Sequence, residues 1–310
     1  MTLADLRFSD LFLPELVAHA WYKISPSSLD RVTVDPALHP ELKRLWGELQ
    51  ARAPGELHDF RIDYSGMRLR VERMEISDAS TVFVMRRYGV PPSSLAGLGF
   101  PKLVASQLLS MKDGLILFVG QTGSGKSTTA MAVVVEWLSQ HGGVCWTVEN
   151  PVEIDITGDH GKGVCYQTEV SRDADFGLSI IRMLRASPNL IMVGEIRDDL
   201  AAREAIHAAT SGHLVVSTFH GNDIVSGLAR FAGKAGVDSH GFADALRAIL
   251  HLRLKIDESA PQERILIVEP LMIVGNAADG IRSTIRAGDF HLLKSEIERQ
   301  RRLFMSGGLP

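Results

Sequence analysis

The feature that most constrains this chain is a glycine-rich stretch that directly follows an apolar run. Residues 115–119 read LILFV, and residues 120–129 read GQTGSGKSTT. The second stretch matches the spacing G-x-x-x-x-G-K-[ST]. In this pattern a buried strand leads into a loop whose backbone N–H groups face phosphate, and the next helix directs its positive end at the same point. The chain is therefore expected to contain an α/β domain that binds ATP or GTP.

The residues expected to contact the nucleotide form one continuous set: Gly120, Gln121, Thr122, Gly123, Ser124, Gly125, Lys126, Ser127 and Thr128. Lys126 is expected to reach the β- and γ-phosphates, and the Ser127 hydroxyl is expected to bind Mg²⁺. The alternative is a glycine-rich turn without a ligand. The complete pattern between a strand and a helix disfavours that alternative.

Short apolar segments alternate with helical ones after residue 100. The predicted strands are Leu115–Val119, Val144–Val148, Leu190–Val193 and Leu214–Thr218. The predicted helices are Pro101–Met111, Lys126–Ser139, Phe176–Ala186 and Asp199–Thr210. Almost purely apolar strands between helices predict a parallel sheet that is covered on both faces.

The N-terminal part has a different pattern. Residues 60–64 and 67–73 alternate at period two around Ser65-Gly66, which predicts a hairpin, and residues 81–85 predict another strand. Residues 88–99, YGVPPSSLAGLG, are rich in proline, glycine and serine, as linkers are. We therefore expect an N-terminal α+β domain over residues 1–88 and a linker over 89–99. An α/β ATPase domain over 100–290 and a C-terminal helix and tail over 291–310 would follow.

Acidic residues follow two of the predicted strands. Glu195 ends the stretch LIMVGE, at the position where P-loop enzymes hold Mg²⁺ or its water shell. Glu149 and Glu153 come just past the strand over residues 144–148. Ligands of parallel sheets bind outside the carboxyl ends of the strands, so both acids are expected to face the nucleotide. Either one could activate water, and a capping or surface role is equally compatible with the sequence.

Two histidines flank the last predicted strand: His213 precedes it and His220 follows it. Taken singly, histidines in such positions are more often ordinary loop residues than phosphate sensors.

Composition and charge argue against several classes of protein. A net charge of −4 and an aromatic content of 6% disfavour a nucleic-acid motor, which needs basic and stacking surfaces, so no direct nucleic-acid binding is expected. The two cysteines, Cys145 and Cys165, indicate reduced thiols. No secretory signal is recognisable, and the apolar runs are shorter than the about 20 residues of a membrane span. A cytoplasmic protein is expected.

Four stretches recur in this order in the secretion ATPase superfamily, which the chain resembles. They are the Walker A loop GQTGSGKST, the Asp box TVENPVE, the Walker B-like box LIMVGEIRD and the His box SGHLVVSTFHGND. Members drive type II secretion, type IV pili and type IV secretion. The resemblance implies a RecA-like P-loop core preceded by a PAS-like domain. Residues 281–289 are similar to the C-terminal segment of PilT-like ATPases, and the short N-terminal domain resembles the DotB-like subgroup of type IVB secretion and conjugation.

The resemblance implies roles for individual residues. Glu195 would take the Walker B role, Glu153 would be the general base and Glu149 would support it. His213 and His220 would order the γ-phosphate side. Arg70 and Arg86 match arginines that the N-terminal domain swings toward the nucleotide; exposed strand arginines are the alternative. The Asp box departs from the family because Asn150 replaces a carboxylate.

The function implied is that of a ring-forming, hexameric ATPase that uses ATP and Mg²⁺. It would be cytoplasmic, associate peripherally with the inner membrane and power a type IV secretion, conjugation or type IV pilus machine through inner-membrane components. Three alternatives stay open. They are a pilus retraction motor specifically, a regulatory nucleotide-binding assembly module without turnover, and a RecA-like nucleic-acid motor.

Overall fold

The computed structural model describes residues 2–24, 28–52, 58–77, 79–89, 94–235, 239–256 and 264–310. The chain divides into two compact units, Met1–Gly89 and Val90–Pro310. Residues 90–93 of the expected linker lie outside the described residues.

The first unit is an antiparallel sheet with a helix. Its strands are β1 (Asp10–Pro14), β2 (Trp21–Lys23), β3 (Val32–Thr33), β4 (Asp59–Tyr64), β5 (Met67–Glu75) and β6 (Thr81–Arg87), and its helix is α1 (His39–Arg52). Short 3-10 turns cover Leu3–Asp5, Val17–His19 and Pro36–Leu38. The strand order is β3-β2-β1-β6-β5-β4.

Period-two alternation divides this sheet into two faces. Leu69 and Val71 of β5 are fully buried, and they share one apolar cluster with Leu42 and Leu45 of α1. Apolar residues spaced three and four apart give α1 the single stripe that such packing needs. The polar residues between these positions are left on the other face of the sheet.

The second unit is an α/β domain. Its strands are β7 (Gly114–Gly120), β8 (Gly143–Glu149), β9 (Gly158–His160), β10 (Gly163–Glu169), β11 (Leu190–Val193), β12 (Leu214–His220), β13 (Leu246–Ile256) and β14 (Arg264–Met272). Its helices are α2 (Lys102–Ser110), α3 (Lys126–His141), α4 (Asp175–Met183), α5 (Asp199–Thr210), α6 (Ile224–Ala235), α7 (Ser239–Ala245), α8 (Ala278–Ala287) and α9 (Lys294–Met305). Short 3-10 turns cover Gly275–Ala277 and Phe290–Leu293.

The sheet of this unit has the order β14-β13-β7-β12-β11-β8-β10-β9. The strands from β13 to β10 run parallel to one another, whereas β14 and β9 are antiparallel to their neighbours. The four predicted strands all lie within this parallel part, and the antiparallel strands β14 and β9 at the two edges were not predicted. Antiparallel neighbours need only a short connection, so β14 can follow β13, and β10 can follow β9, without a crossover helix.

Both faces of the sheet are covered, as predicted. Along β7, Leu115, Leu117 and Val119 belong to one apolar cluster, whereas Ile116 and Phe118 belong to the other. The observed α5 and β11 have the predicted bounds. Helix α4 ends at Met183, before the expected Ala186, ahead of a turn in which Ser187 has a φ of +50°. Within the described ranges, no helix is both long and apolar enough to cross a membrane.

Candidate nucleotide-binding site

The glycine-rich loop has the backbone that the sequence pattern predicts. It connects β7, which ends at Gly120, to α3, which begins at Lys126. Gly123 and Gly125 have φ angles of +78° and +89°, a region that favours glycine. A Cβ atom on Gly120 would lie 2.4 Å from Ser124 Oγ and 2.6 Å from the Leu252 carbonyl oxygen. The tight loop therefore depends on the absence of side chains at these glycines.

A cavity of about 180 Å³ lies beside this loop. Its lining includes half of the site residues expected from the sequence: Thr122, Gly123, Lys126, Ser127, Glu149, Glu153, Glu195 and His220. These residues come from the loop and from the carboxyl ends of β8, β11 and β12 and the segments after them. The parallel strands thus bring residues that are distant in sequence to one edge of the sheet.

Lys126 is held inside the loop by the loop's own backbone. Its Nζ atom donates a hydrogen bond of 2.8 Å to the carbonyl oxygen of Gln121. Burial lowers the pKa of Lys126, while the nearby carboxylates of Glu195 and Glu153 act in the opposite direction. The ammonium group therefore lies where phosphate charge would compensate its loss of hydration.

Glu195 lies at the centre of a chain of charged groups. Arg197 Nε donates to Glu195 Oε2 at 2.7 Å, and Arg197 Nη1 lies 3.3 Å from Asp173 Oδ1. His220 Nε2 lies 2.9 Å from Glu195 Oε1 but without the angles of a hydrogen bond, so this buried oxygen has no hydrogen-bond partner among the described residues. One carboxylate oxygen is thus fixed by Arg197, and the other keeps its capacity to accept.

Asn150 takes part in the same arrangement. Its Nδ2 atom donates a 3.2 Å hydrogen bond to Asp173 Oδ1. An ionised aspartate at position 150 has no donor and would place a second negative charge beside Asp173. The amide therefore replaces the carboxylate of the family pattern with a group suited to this neighbour.

The sequence predicted Glu149 just past the end of a strand. In the structure Glu149 is instead the final residue of β8. It is buried, and its Oε1 atom accepts hydrogen bonds from Thr147 Oγ1 at 2.6 Å and Gln167 Nε2 at 2.8 Å. Burial raises the pKa of Glu149 to about 7, and the two hydrogen bonds limit this rise. Glu153, by contrast, is exposed. The two acids line one cavity in different environments.

The two histidines of the His box do not converge within one chain. His220 is the last residue of β12 and lines the cavity. His213 precedes the first residue of the same strand, where its Nδ1 atom lies 3.2 Å from the Ala208 carbonyl oxygen. A strand of this length separates its ends by roughly 20 Å. His213 therefore lies at the amino ends of the parallel strands, whereas the phosphate loop lies at their carboxyl ends.

Arg70 and Arg86 belong to the first unit and are cross-strand neighbours on β5 and β6. Arg70 Nε donates to Asp59 Oδ1 at 3.0 Å, and Arg86 Nε donates to Asp10 Oδ1 at 2.8 Å. Both side chains are thus engaged by carboxylates of their own sheet.

The donor set near the phosphate loop suits Mg²⁺. The half-buried hydroxyl of Ser127 and the carboxylate of Glu195 offer hard oxygen ligands. In the part of the chain that the structure describes, no three His, Cys, Asp or Glu side chains form a metal cluster. Mg²⁺ commonly takes one or two protein ligands and completes its shell with phosphate and water.

Sequence reasoning missed four residues of the site: Arg197, Asp173, Gln167 and Thr147. Arg197 was visible inside the Walker B-like box as a charge shortly after a buried strand. Thr147 was visible as a polar residue two positions before Glu149 in β8, and Gln167 as a polar residue two positions before Glu169 in β10. Asp173 carried no local signal, because its partners come from other segments of the chain.

Residues 50–289 match the family model described as Type II/IV secretion system protein. The chain belongs to this family. It is 30% identical over 254 residues to the Type II secretion system protein HxcR of Pseudomonas aeruginosa, an alignment that covers 81% of this chain and 50% of HxcR. This Type II/IV secretion family member spans between 29% and 50% of the length of the first three relatives that it matches.

Solved structures of the same fold cover nearly the whole chain. The pilus retraction motor PilT with bound ADP is matched with a TM-score of 0.77 and 25% identity, over 96% of this chain and 87% of PilT. The Legionella pneumophila ATPase DotB is matched with a TM-score of 0.74 and 19% identity, over 94% of this chain and 85% of DotB. At that identity the likeness to DotB shows the fold alone.

Proposed function

We propose that this family member hydrolyses ATP in the cavity beside Gly120–Thr128 and powers a secretion, conjugation or type IV pilus machine. The observation that carries the proposal is the convergence of the phosphate loop with Glu149, Glu195 and His220 on one cavity. Membership of the Type II/IV secretion family supports it, as does the likeness to a pilus motor that binds ADP.

The loop and its helix would bind the triphosphate. Backbone N–H groups from Gly123 to Thr128 would surround the phosphates, and Lys126 would move from the Gln121 carbonyl to the β- and γ-phosphate oxygens. Ser127 and Glu195 would hold Mg²⁺, which supplies charge neutralisation at the phosphates when bound. Arg197 would keep the Glu195 carboxylate in place, and His220 would order the γ-phosphate side.

Hydrolysis also needs a group that takes a proton from the attacking water. The family resemblance favours Glu153, whereas the structure favours Glu149 for a physical reason. A base works best when its pKa lies near the operating pH, and burial raises the pKa of Glu149 to about 7. We therefore propose Glu149 as the proton acceptor and Glu153 as an auxiliary charge at the cavity rim.

The mechanical part of the proposal rests on the family. The first unit would swing relative to the second across the segment around residues 89–99, and Arg70 and Arg86 would approach the nucleotide. The chain would act as a cytoplasmic ring, expected to be a hexamer, on inner-membrane components of its machine. A ring would also allow a histidine at the far edge of the sheet, such as His213, to act on a neighbouring subunit.

The regulatory alternative without turnover derives from the missing carboxylate at Asn150. The hydrogen bond from Asn150 to Asp173 weakens that alternative, because the amide has a partner and the cavity keeps the carboxylates of Glu149, Glu153 and Glu195.

The experiment is phosphate release measured over a range of protein concentrations, with light scattering in the presence of a non-hydrolysable ATP analogue. Lys126→Ala should lower turnover on the order of 100-fold or more, because a charge that acts on the developing transition state is lost. Lys112→Ala, at an exposed lysine outside the cavity, is the matched control and should leave turnover unchanged. Specific activity should rise as rings form. A wild-type chain without ATP-dependent phosphate release would refute the proposal.

A further inference from the structure

Gln167 is a polar residue on the sheet face that packs against the helix of the phosphate loop. The parallel pairing of β8 and β10 places it opposite Thr147, and it places the next polar pair, Glu169 and Glu149, in register. Gln167 is half-buried and is not among the cavity-lining residues described above. Its contacts nevertheless lead directly to the site.

The Gln167 carboxamide makes four hydrogen bonds. Its Nε2 atom donates to Glu149 Oε1 at 2.8 Å and to the Ile154 carbonyl oxygen at 2.9 Å. Its Oε1 atom accepts from the Ile156 N–H at 2.6 Å and from Thr157 Oγ1 at 3.1 Å. Both donors and both acceptor lone pairs of the amide are therefore used. A glutamine saturated in this way is held in one orientation.

These bonds tie two parts of the site together. The segment over residues 150–157 carries Glu153 and is anchored by the buried side chains of Ile154 and Ile156. Gln167 pairs with the backbone of this segment much as a neighbouring strand would. Glu169 adds a second attachment, because its Oε2 atom accepts a 2.9 Å hydrogen bond from the Val152 N–H. The same amide thus fixes Glu149 and the segment that carries Glu153.

We propose that Gln167 is a positioning residue for ATP hydrolysis, which holds the Glu149 carboxylate ionised and oriented and fixes the segment that carries Glu153. This inference rests on the proposed function of the cavity. Gln167 would not touch the nucleotide itself and would act through Glu149.

The electrostatic effect of Gln167 has a definite sign. A hydrogen-bond donor stabilises an ionised carboxylate, so the O–H of Thr147 and the N–H of Gln167 lower the pKa of Glu149 against the larger effect of burial. Loss of the Gln167 donor should therefore raise the pKa of Glu149 further. Three titratable groups interact electrostatically with Glu149: Glu169 on β10, Cys145 on β8 and Glu153 on the connecting segment. Lys126 on α3, and Glu195 and Arg197 after β11, line the same cavity as Glu149.

Two substitutions at Gln167 distinguish its hydrogen bond to Glu149 from its hydrogen bonds to the segment over residues 150–157. Gln167→Met keeps the approximate size of the side chain and removes all four hydrogen bonds. Gln167→Glu keeps an acceptor for the Ile156 N–H, but it replaces the donor to Glu149 by a second carboxylate oxygen. Thr157→Val is the matched control, because it removes one bond to Gln167 and leaves the contact with Glu149 intact.

The first readout is the dependence of kcat on pH. The midpoint of the acid limb should rise by about one pH unit in Gln167→Met and at least as much in Gln167→Glu. At neutral pH this would lower kcat roughly fivefold, because a smaller fraction of Glu149 would be ionised. Thr157→Val should keep the wild-type midpoint. An equal loss of kcat at every pH, with an unchanged midpoint, would reduce Gln167 to a structural role and overturn the inference.

The second readout does not require turnover. The carboxyl carbon of Glu149, assigned by its loss in Glu149→Gln, can be titrated by NMR in labelled protein. Its midpoint should be higher in both Gln167 variants than in the wild type. Inactive wild-type protein would refute the proposed function and leave this titration as the test of Gln167. Equal midpoints in all variants that retain fluorescent ATP-analogue binding would refute the role of Gln167.

Discussion

At the residue scale, the main question is which carboxylate accepts the proton. Glu149 and Glu153 line one cavity, but only Glu149 is buried and receives side-chain hydrogen bonds from two neighbours. A carboxylate whose pKa is raised toward neutrality by burial is a suitable general base at neutral pH.

Glu149→Gln and Glu153→Gln give a direct comparison, because the two substitutions are chemically identical. We expect Glu149→Gln to lower kcat by about 10²–10⁴-fold, since general base catalysis contributes a factor of that size. We expect Glu153→Gln to lower kcat by less than about tenfold. Single-turnover hydrolysis measures the chemical step, and binding of a fluorescent ATP analogue shows whether the site is intact. The reverse order of effects would return the base assignment to Glu153.

The strand, loop and helix around Gly120–Thr128 could be predicted closely, because a loop of this kind depends on backbone conformation and on a fixed local spacing. For Glu149, Glu153 and Glu195, the sequence predicted a position at the carboxyl ends of the parallel strands but not the environment of each carboxylate. Glu149 belongs to the strand itself, and its burial follows from neighbours on β10 that no local pattern connects to it. Asp173 and Arg197 form their pair across 24 residues, so their contribution required the tertiary structure.

At the element scale, the β14 edge of the larger sheet is closed by a side chain. Gln300 on α9 is fully buried. Its Oε1 atom accepts from the Met272 N–H at 2.7 Å, and its Nε2 atom donates to the Met272 carbonyl oxygen at 2.9 Å. The amide therefore pairs with the end of β14 as another strand would, and it attaches the C-terminal helix to the sheet.

Gln300→Met should destabilise the second unit by leaving both Met272 backbone groups without partners. Each buried group left unpaired costs about 1–3 kcal/mol, so we expect a loss on the order of 2 kcal/mol or more. Urea unfolding gives the change in midpoint, and hydrogen exchange of the peptide that contains Met272 locates it. Gln140→Met, at an exposed glutamine of α3, is the control. Equal midpoints and equal exchange in the two variants would contradict this account.

Some helices and strands have a local sequence pattern that predicts their bounds, and others do not. Strand β11 is an uninterrupted apolar run, and α5 starts at an Asp198 cap that accepts a hydrogen bond from Ala201 N–H, so their bounds matched the prediction. Strands β2 and β3 have only three and two residues, which is too short for a periodic pattern. Residues 250–256 alternate between apolar and polar side chains, a signal of β13 that the sequence reasoning left unused.

At the scale of the whole molecule, the proposed motor must couple its first unit to nucleotide. Arg70 and Arg86 are the candidates, and their ion pairs differ in how easily they can be exchanged. The pair of Arg70 with Asp59 is partly exposed on both sides, and such pairs contribute about 0–1 kcal/mol. Arg86 pairs with Asp10, whose carboxylate is buried, so releasing that arginine would leave a buried charge without its partner.

This difference predicts that Arg70 is the arginine that couples to hydrolysis and that Arg86 mainly stabilises the first unit. Arg70→Ala should lower kcat more than tenfold, as removal of a phosphate-stabilising group does, and leave thermal stability almost unchanged. Arg86→Ala should lower the stability of the first unit by about 1–2 kcal/mol, because Asp10 stays buried.

Arg61→Ala, at an exposed arginine opposite Arg70 on β4, is the control. Phosphate release by the three variants tests the role of Arg70 in hydrolysis, and their thermal unfolding tests the role of Arg86 in stability. If Arg70→Ala keeps wild-type turnover, the coupling between the units must depend on other residues, and the first unit would not reach the nucleotide through Arg70.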